Sequence, residues 1–126
     1  MLQKLEVMLY VRNVDLIARF FEDALGATLI KETEMIDTST EIKLSVLDQV
    51  NINLYDVEFI REYSPMVSLE MPSLMFLTND IREVHDRIEM FANTISEIST
   101  QGDQLVFNFS DPEDHHFAVG TIEQDI

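Results

Sequence analysis

The chain repeats itself, and the repeat constrains its fold more than any other feature. Val14, Ile17, Phe21 and Leu25 recur as Ile81, Val84, Ile88 and Ala92, each 67 positions later. Steps of three and four residues place apolar side chains on one stripe of a helix. Self-similarity at a fixed offset marks a repeated structural unit. The spacing predicts helices over residues 15–25 and 81–92. Asn13 or Asp15 can cap the first helix, and Gly26 stands where a left-handed residue closes one. Asn93 takes the matching place in the second copy.

Strand signals surround each helix. Residues 5–11 are rich in strand formers, and 28–33 follow the first helix as a further strand. Residues 41–47 and 51–55 alternate polar with apolar, the period of a half-buried strand. The turn around Asp48-Gln49 is short enough for a hairpin. The second copy offers strands at 74–78, 95–99, 104–110 and 116–122. Each unit reads as strand, helix, then three strands. The expected fold class is α+β: two such modules forming a curved mixed sheet around a concave cavity, with the helices outside. The modules cover about 1–56 and 73–126 of a single domain spanning 1–126. The linker, 57–72, has enough apolar residues to pack rather than float.

Composition narrows the function classes. With 8 Lys plus Arg against 24 Asp plus Glu, the net charge is −16. Such a field repels phosphate backbones and anionic lipid, so neither nucleic acid nor membrane is an expected partner. The absence of cysteine removes thiol nucleophiles, thiolate metal sites and disulfides. The first ten residues lack a basic stretch followed by an apolar core, so no signal peptide is read there. No apolar run approaches the roughly 18 residues of a membrane span. The expected location is cytoplasmic.

Two stretches carry a family resemblance. Glu6-Val7-Met8-Leu9-Tyr10-Val11, followed by Phe20-Phe21-Glu22-Asp23-Ala24-Leu25-Gly26, looks like an opening strand and its helix. Phe107 through Phe117, with Asp111-Pro112-Glu113-Asp114 at its centre, looks like a closing hairpin. In order and spacing these resemble the vicinal oxygen chelate superfamily, which includes glyoxalases, extradiol dioxygenases and bleomycin-resistance proteins. The family's usual hairpin glycine is Asp114 here, and Asp tolerates a left-handed backbone better than most residues.

The resemblance implies a metal site in the enzymes of the family, with one ligand on each of four strands. Carried over, those positions fall near Glu6, Asn53, Ser73 and Ala118. Only Glu6 is a good oxygen ligand, and a transition metal needs three or four donors in fixed geometry. No metal or other cofactor is therefore expected. His115 and His116 are adjacent, so on a strand they point to opposite faces and cannot both ligate one ion. They read as exposed hairpin residues, and His85 as a solvated residue of the second helix.

The reading of the site is a cavity without a metal. Its expected lining is Glu6, Tyr10, Asn53, Tyr55, Phe107, Phe109 and His116. No residue is assigned a catalytic role. The resemblance implies capture of a small organic compound, as bleomycin-resistance proteins do. Few bases and an inward Glu6 favour a cationic, partly aromatic compound, since Lys31 and Lys43 can snorkel outward. The alternative is a metal-dependent lyase, dioxygenase or thiol transferase of the same superfamily; a third reading is an interaction module that binds no small molecule. The resemblance also implies a homodimer.

Overall fold

The computed structural model describes residues 1–122, and these divide into two compact units that meet between Pro72 and Ser73. The chain is α+β, with two mixed sheets and three helices.

The first unit runs β1 (Leu5–Val11), α1 (Val14–Leu25), β2 (Thr28–Glu34), β3 (Thr40–Leu47), β4 (Val50–Asp56) and α2 (Val57–Tyr63). Its sheet is ordered β1-β4-β3-β2. β1 and β4 are parallel, and the other neighbours are antiparallel. Asn13 caps α1, its side chain accepting from the Leu16 amide at 3.0 Å. Gly26 ends the helix at φ 71°, a backbone that costs glycine little. α1 lies on β3 and β4. Its Ile17, Phe20, Phe21 and Ala24 are buried, as are Leu9, Val11, Ile42, Leu44, Ile52 and Leu54 of the sheet. The turn at Asp48-Gln49 closes the expected hairpin, with Gln49 at φ 63°.

The second unit runs β5 (Met75–Thr78), α3 (Ile81–Glu89), β6 (Thr94–Ile95), β7 (Ser99–Gln101), β8 (Gln104–Ser110) and β9 (His116–Thr121). Its order is β5-β9-β8-β6, with β7 also on β8. β5 and β9 are again parallel. Ile81 and Ile88 of α3 are buried, with Phe107, Phe109, Phe117 and Val119 in the strands.

Several boundaries differ from the sequence reading. Residues 57–63, read as linker, form α2: Asp56 caps it by accepting from the Glu58 amide at 2.8 Å, and Ile60 is buried. A helix of 7 residues is too short for periodicity to announce it. α3 ends at Glu89 rather than at 92, closing on a right-handed Met90. Asn93 is not left-handed; its amide instead donates to the Ser110 carbonyl at 2.9 Å. The strand expected at 95–99 is split into β6 and β7, both on β8. No helix among the described residues is long and apolar enough to cross a membrane.

Candidate functional site

Alternation along β4 decides which side chains share a face. Ile52 and Leu54 are buried with the core residues of β3 and α1, so Asn51, Asn53 and Tyr55 point the other way. Register adds their neighbours. Glu6, Met8 and Tyr10 of β1 stand opposite Asn51, Asn53 and Tyr55, and Lys43 and Ser45 of β3 stand opposite Asn53 and Asn51. Four expected site residues, Glu6, Tyr10, Asn53 and Tyr55, thus meet on one face of the first sheet.

The centre of this face is a polar cluster. Lys43 Nζ lies 3.0 Å from Glu6 Oε2, and Asn51 Nδ2 donates to the same oxygen at 3.1 Å. Lys43 first, then the amides of Asn51 and Asn53, hold the Glu6 carboxyl below its ordinary value. Lys43 therefore turns inward to an acceptor, contrary to the outward snorkelling expected of it. Asn51 was not singled out in the sequence either, although its two-residue step from Asn53 puts both amides on one face.

Asn53 is only 2% exposed. Its Nδ2 donates to Met8 Sδ at 3.4 Å, a weak acceptor, and its Oδ1 has no partner among the described residues. A buried carbonyl left unpaired costs about 1–3 kcal/mol, and native proteins carry few of them.

Aromatic rings flank the cluster. Tyr10 and Tyr55 lie 6.2 Å apart between centroids, and α2 extends the row through Phe59 and Tyr63, stacked at 4.9 Å. Burial first, then the Glu41 carboxylate, push the Tyr55 hydroxyl up from its ordinary value. It therefore remains a protonated donor.

The second unit has a groove of its own, about 360 Å³, lined by Ser73, Leu74, Asn108, His116, Phe117 and Ala118. His116 is exposed at its edge, 3.6 Å from Asp114. His115 takes the opposite side, as alternation requires, but is not exposed: its Nδ1 lies 2.8 Å from buried Asp111 Oδ2. Phe107 and Phe109 are 1% exposed and packed with Phe117 and His85, so they are core rings of this unit rather than an accessible wall. His85 is half-buried rather than fully solvated. Its ring meets Phe107 edge-on at 4.8 Å, and Nε2 donates to the Ser96 carbonyl at 2.8 Å. A second surface hollow beside it, about 370 Å³, is lined by Arg82, His85, Asp86, Glu97 and Ile98.

The donors at the four family metal positions do not suit a transition metal. Glu6 is taken up by an ammonium and an amide, Asn53 offers a neutral carbonyl, Ser73 a hydroxyl, and Ala118 nothing. Among the described residues no group of three His, Asp or Glu stands together as a metal site.

Comparison with known proteins follows the same line. The Glyoxalase/Bleomycin resistance protein/Dioxygenase superfamily matches residues 5–119. No curated protein sequence matches. Among solved structures, TnmS3, an antibiotic binding protein from Streptomyces sp. CB03234, superposes with a TM-score of 0.77 at 12% identity, covering 98% of each chain. TioX from Micromonospora sp. ML1 gives 0.78 at 13% identity, covering 94% of this chain and 97% of that one. Lactoylglutathione lyase from Agrobacterium tumefaciens gives 0.73 at 14% identity, covering 93% and 91%. At such identities the structures speak to fold alone. The match across residues 5–119, together with the two strand-helix-strand units, makes the chain a member of the Glyoxalase/Bleomycin resistance protein/Dioxygenase superfamily.

Proposed function

We propose that the protein binds a small organic compound, cationic and partly aromatic, without a metal, on the Glu6–Asn53 face of its first sheet. The observation that carries this reading is the unpartnered carbonyl of buried Asn53 beside a carboxylate and the Tyr10 and Tyr55 rings. A carboxylate and aromatic faces attract a cation, and the waiting acceptor gives it a hydrogen bond. TnmS3, which shares the fold, is an antibiotic binding protein, and this supports the same class of role. The net charge of −16 would speed capture of a cation from the cytoplasm, where we place the protein.

A thermal-shift screen across cationic, neutral and anionic aromatic compounds at two salt concentrations tests this. Cationic compounds should raise the melting temperature, less so in high salt and least in Glu6→Gln. Preference for the anionic set would sink the reading. A chelator should leave the melting temperature unmoved; a drop restored by one divalent ion would instead establish the metal-dependent alternative.

The protein also acts, in this reading, as a homodimer. Strands β1 and β5 are sheet edges, and Leu5, Met75 and Leu77 on them are exposed apolar side chains. Unpaired edges with apolar residues favour association, and physiological salt screens the like charge of two copies beyond about 8 Å. Light scattering at micromolar concentration should give twice the chain mass of 14.6 kDa. A monomer mass in high salt would refute the dimer.

A further inference from the structure

The strand order gives Lys43 a particular path. Lys43 is on β3 and Glu6 on β1, with β4 between them. Neighbouring strands stand about 4.8 Å apart, so the two backbones are separated by twice that spacing. An ion pair of 3.0 Å between these side chains must therefore cross β4 on the polar face. Lys43 stands opposite Asn53, and Glu6 opposite Asn51, so the crossing runs diagonally over the two amides. That explains why both, polar and on an open sheet face, are at most 3% exposed. The lysine is a strap across the floor of the proposed site.

The strap leaves its floor incomplete. The ammonium satisfies Glu6 but not Oδ1 of Asn53, the residue opposite Lys43 in the register, which remains without a donor. The pair is also weakly held, with its side chains 28% and 32% exposed, so solvent competes for both ends.

We propose that Lys43 is the specificity-determining residue of this face: its ammonium occupies the place of the ligand's own, and the compound that displaces it is an aromatic primary or secondary amine. This rests on the ligand face proposed above. A primary ammonium carries three N–H donors, enough to replace Lys43 on Glu6 and to supply the bond that Asn53 lacks. A quaternary ammonium carries none. It can feel the carboxylate and the Tyr10 and Tyr55 rings, but it leaves the buried carbonyl unpaired. Displaced Lys43 loses one partly exposed ion pair and regains hydration, which offsets much of the loss.

Titration calorimetry with phenethylamine and with its N,N,N-trimethyl derivative tests the proposal, on the unaltered chain, Lys43→Met, Lys43→Gln and Asn53→Leu. Removing the internal competitor should tighten phenethylamine binding by about fivefold in both Lys43 variants, the worth of an exposed ion pair. The trimethyl compound should bind about tenfold more weakly than the amine, and Asn53→Leu should erase that difference. Unchanged or weaker amine binding in both Lys43 variants would overturn the proposal, since the lysine would then position Glu6 rather than compete for it. Equal binding of the two probes would overturn it as well. If the wider screen finds a ligand while neither probe binds any variant, this inference fails and the binding face stands. If the screen also finds nothing, both fail.

Discussion

Replacing Asp111 with alanine should lower the stability of the protein by about 3–5 kcal/mol, because three donors lose their acceptor at about 1–3 kcal/mol each and solvent recovers part of that cost. Asp111 is fully buried at the start of the β8–β9 turn. Its Oδ1 accepts from the amides of Glu113 at 2.9 Å and His115 at 3.0 Å, and Oδ2 from His115 Nδ1 at 2.8 Å. Its backbone closes the turn on both sides, accepting from Asp114 and donating to the His115 carbonyl. Alanine would leave two backbone amides and the His115 ring N–H without their acceptor. Asparagine keeps an acceptor for the two amides and should cost about 1–2 kcal/mol, the scale of one weakened hydrogen bond. Urea unfolding midpoints at unchanged slope would read both values. An alanine variant within about 1 kcal/mol of the parent would show that the turn holds without its carboxylate.

Phe107→Ala should cost a similar amount, about 3–5 kcal/mol, because the lost ring leaves a cavity that its neighbours fill only in part. Phe107 is 1% exposed, 4.8 Å from the His85 ring and 6.3 Å from Phe109. Phe91, 40% exposed, offers the control. Its alanine variant should cost less, about 1–2 kcal/mol, because part of its ring is already in water and no closed cavity is left. The comparison also decides a role. A ligand-wall phenylalanine would change affinity at nearly unchanged stability, whereas a core ring changes stability first. The same urea titrations, with the thermal-shift screen repeated on Phe107→Ala, separate the two.

These two residues show how much of the molecule the sequence carried. Asp111-Pro112 announced its turn through local chemistry: proline presets one backbone angle and the aspartate side chain accepts from the amides after it. Asp114, in the family's glycine place, adopts φ 65° as that chemistry requires. Phe107 is different. Its alternation with Phe109 marked a strand face as apolar, but nothing in the alternation says whether the apolar face meets a helix or a ligand. Only the arrival of α3, with Ile81 and Ile88 buried on the same side, makes it core. α2 escaped notice because its 7 residues leave too few periodic positions to count.

The polar face divides in the same way. Alternation alone put Asn53 and Tyr55 on one side of a strand, and β1 alone put Glu6 and Tyr10 on one side of another. That β1 lies parallel beside β4, so that Glu6 meets Asn51 and Met8 meets Asn53, is a long-range pairing that no local pattern encodes. The sequence by itself determined the two repeated units, the helix stop at Gly26, the closing turn and the family, because each depends on neighbours a few residues apart or on a spacing along the chain. The tertiary structure decided that Lys43 bends inward across β4 to Glu6 and that Asn53 keeps an acceptor without a donor. Those outcomes depend on which strands become neighbours, and a side chain's direction is set by the partner it finds there.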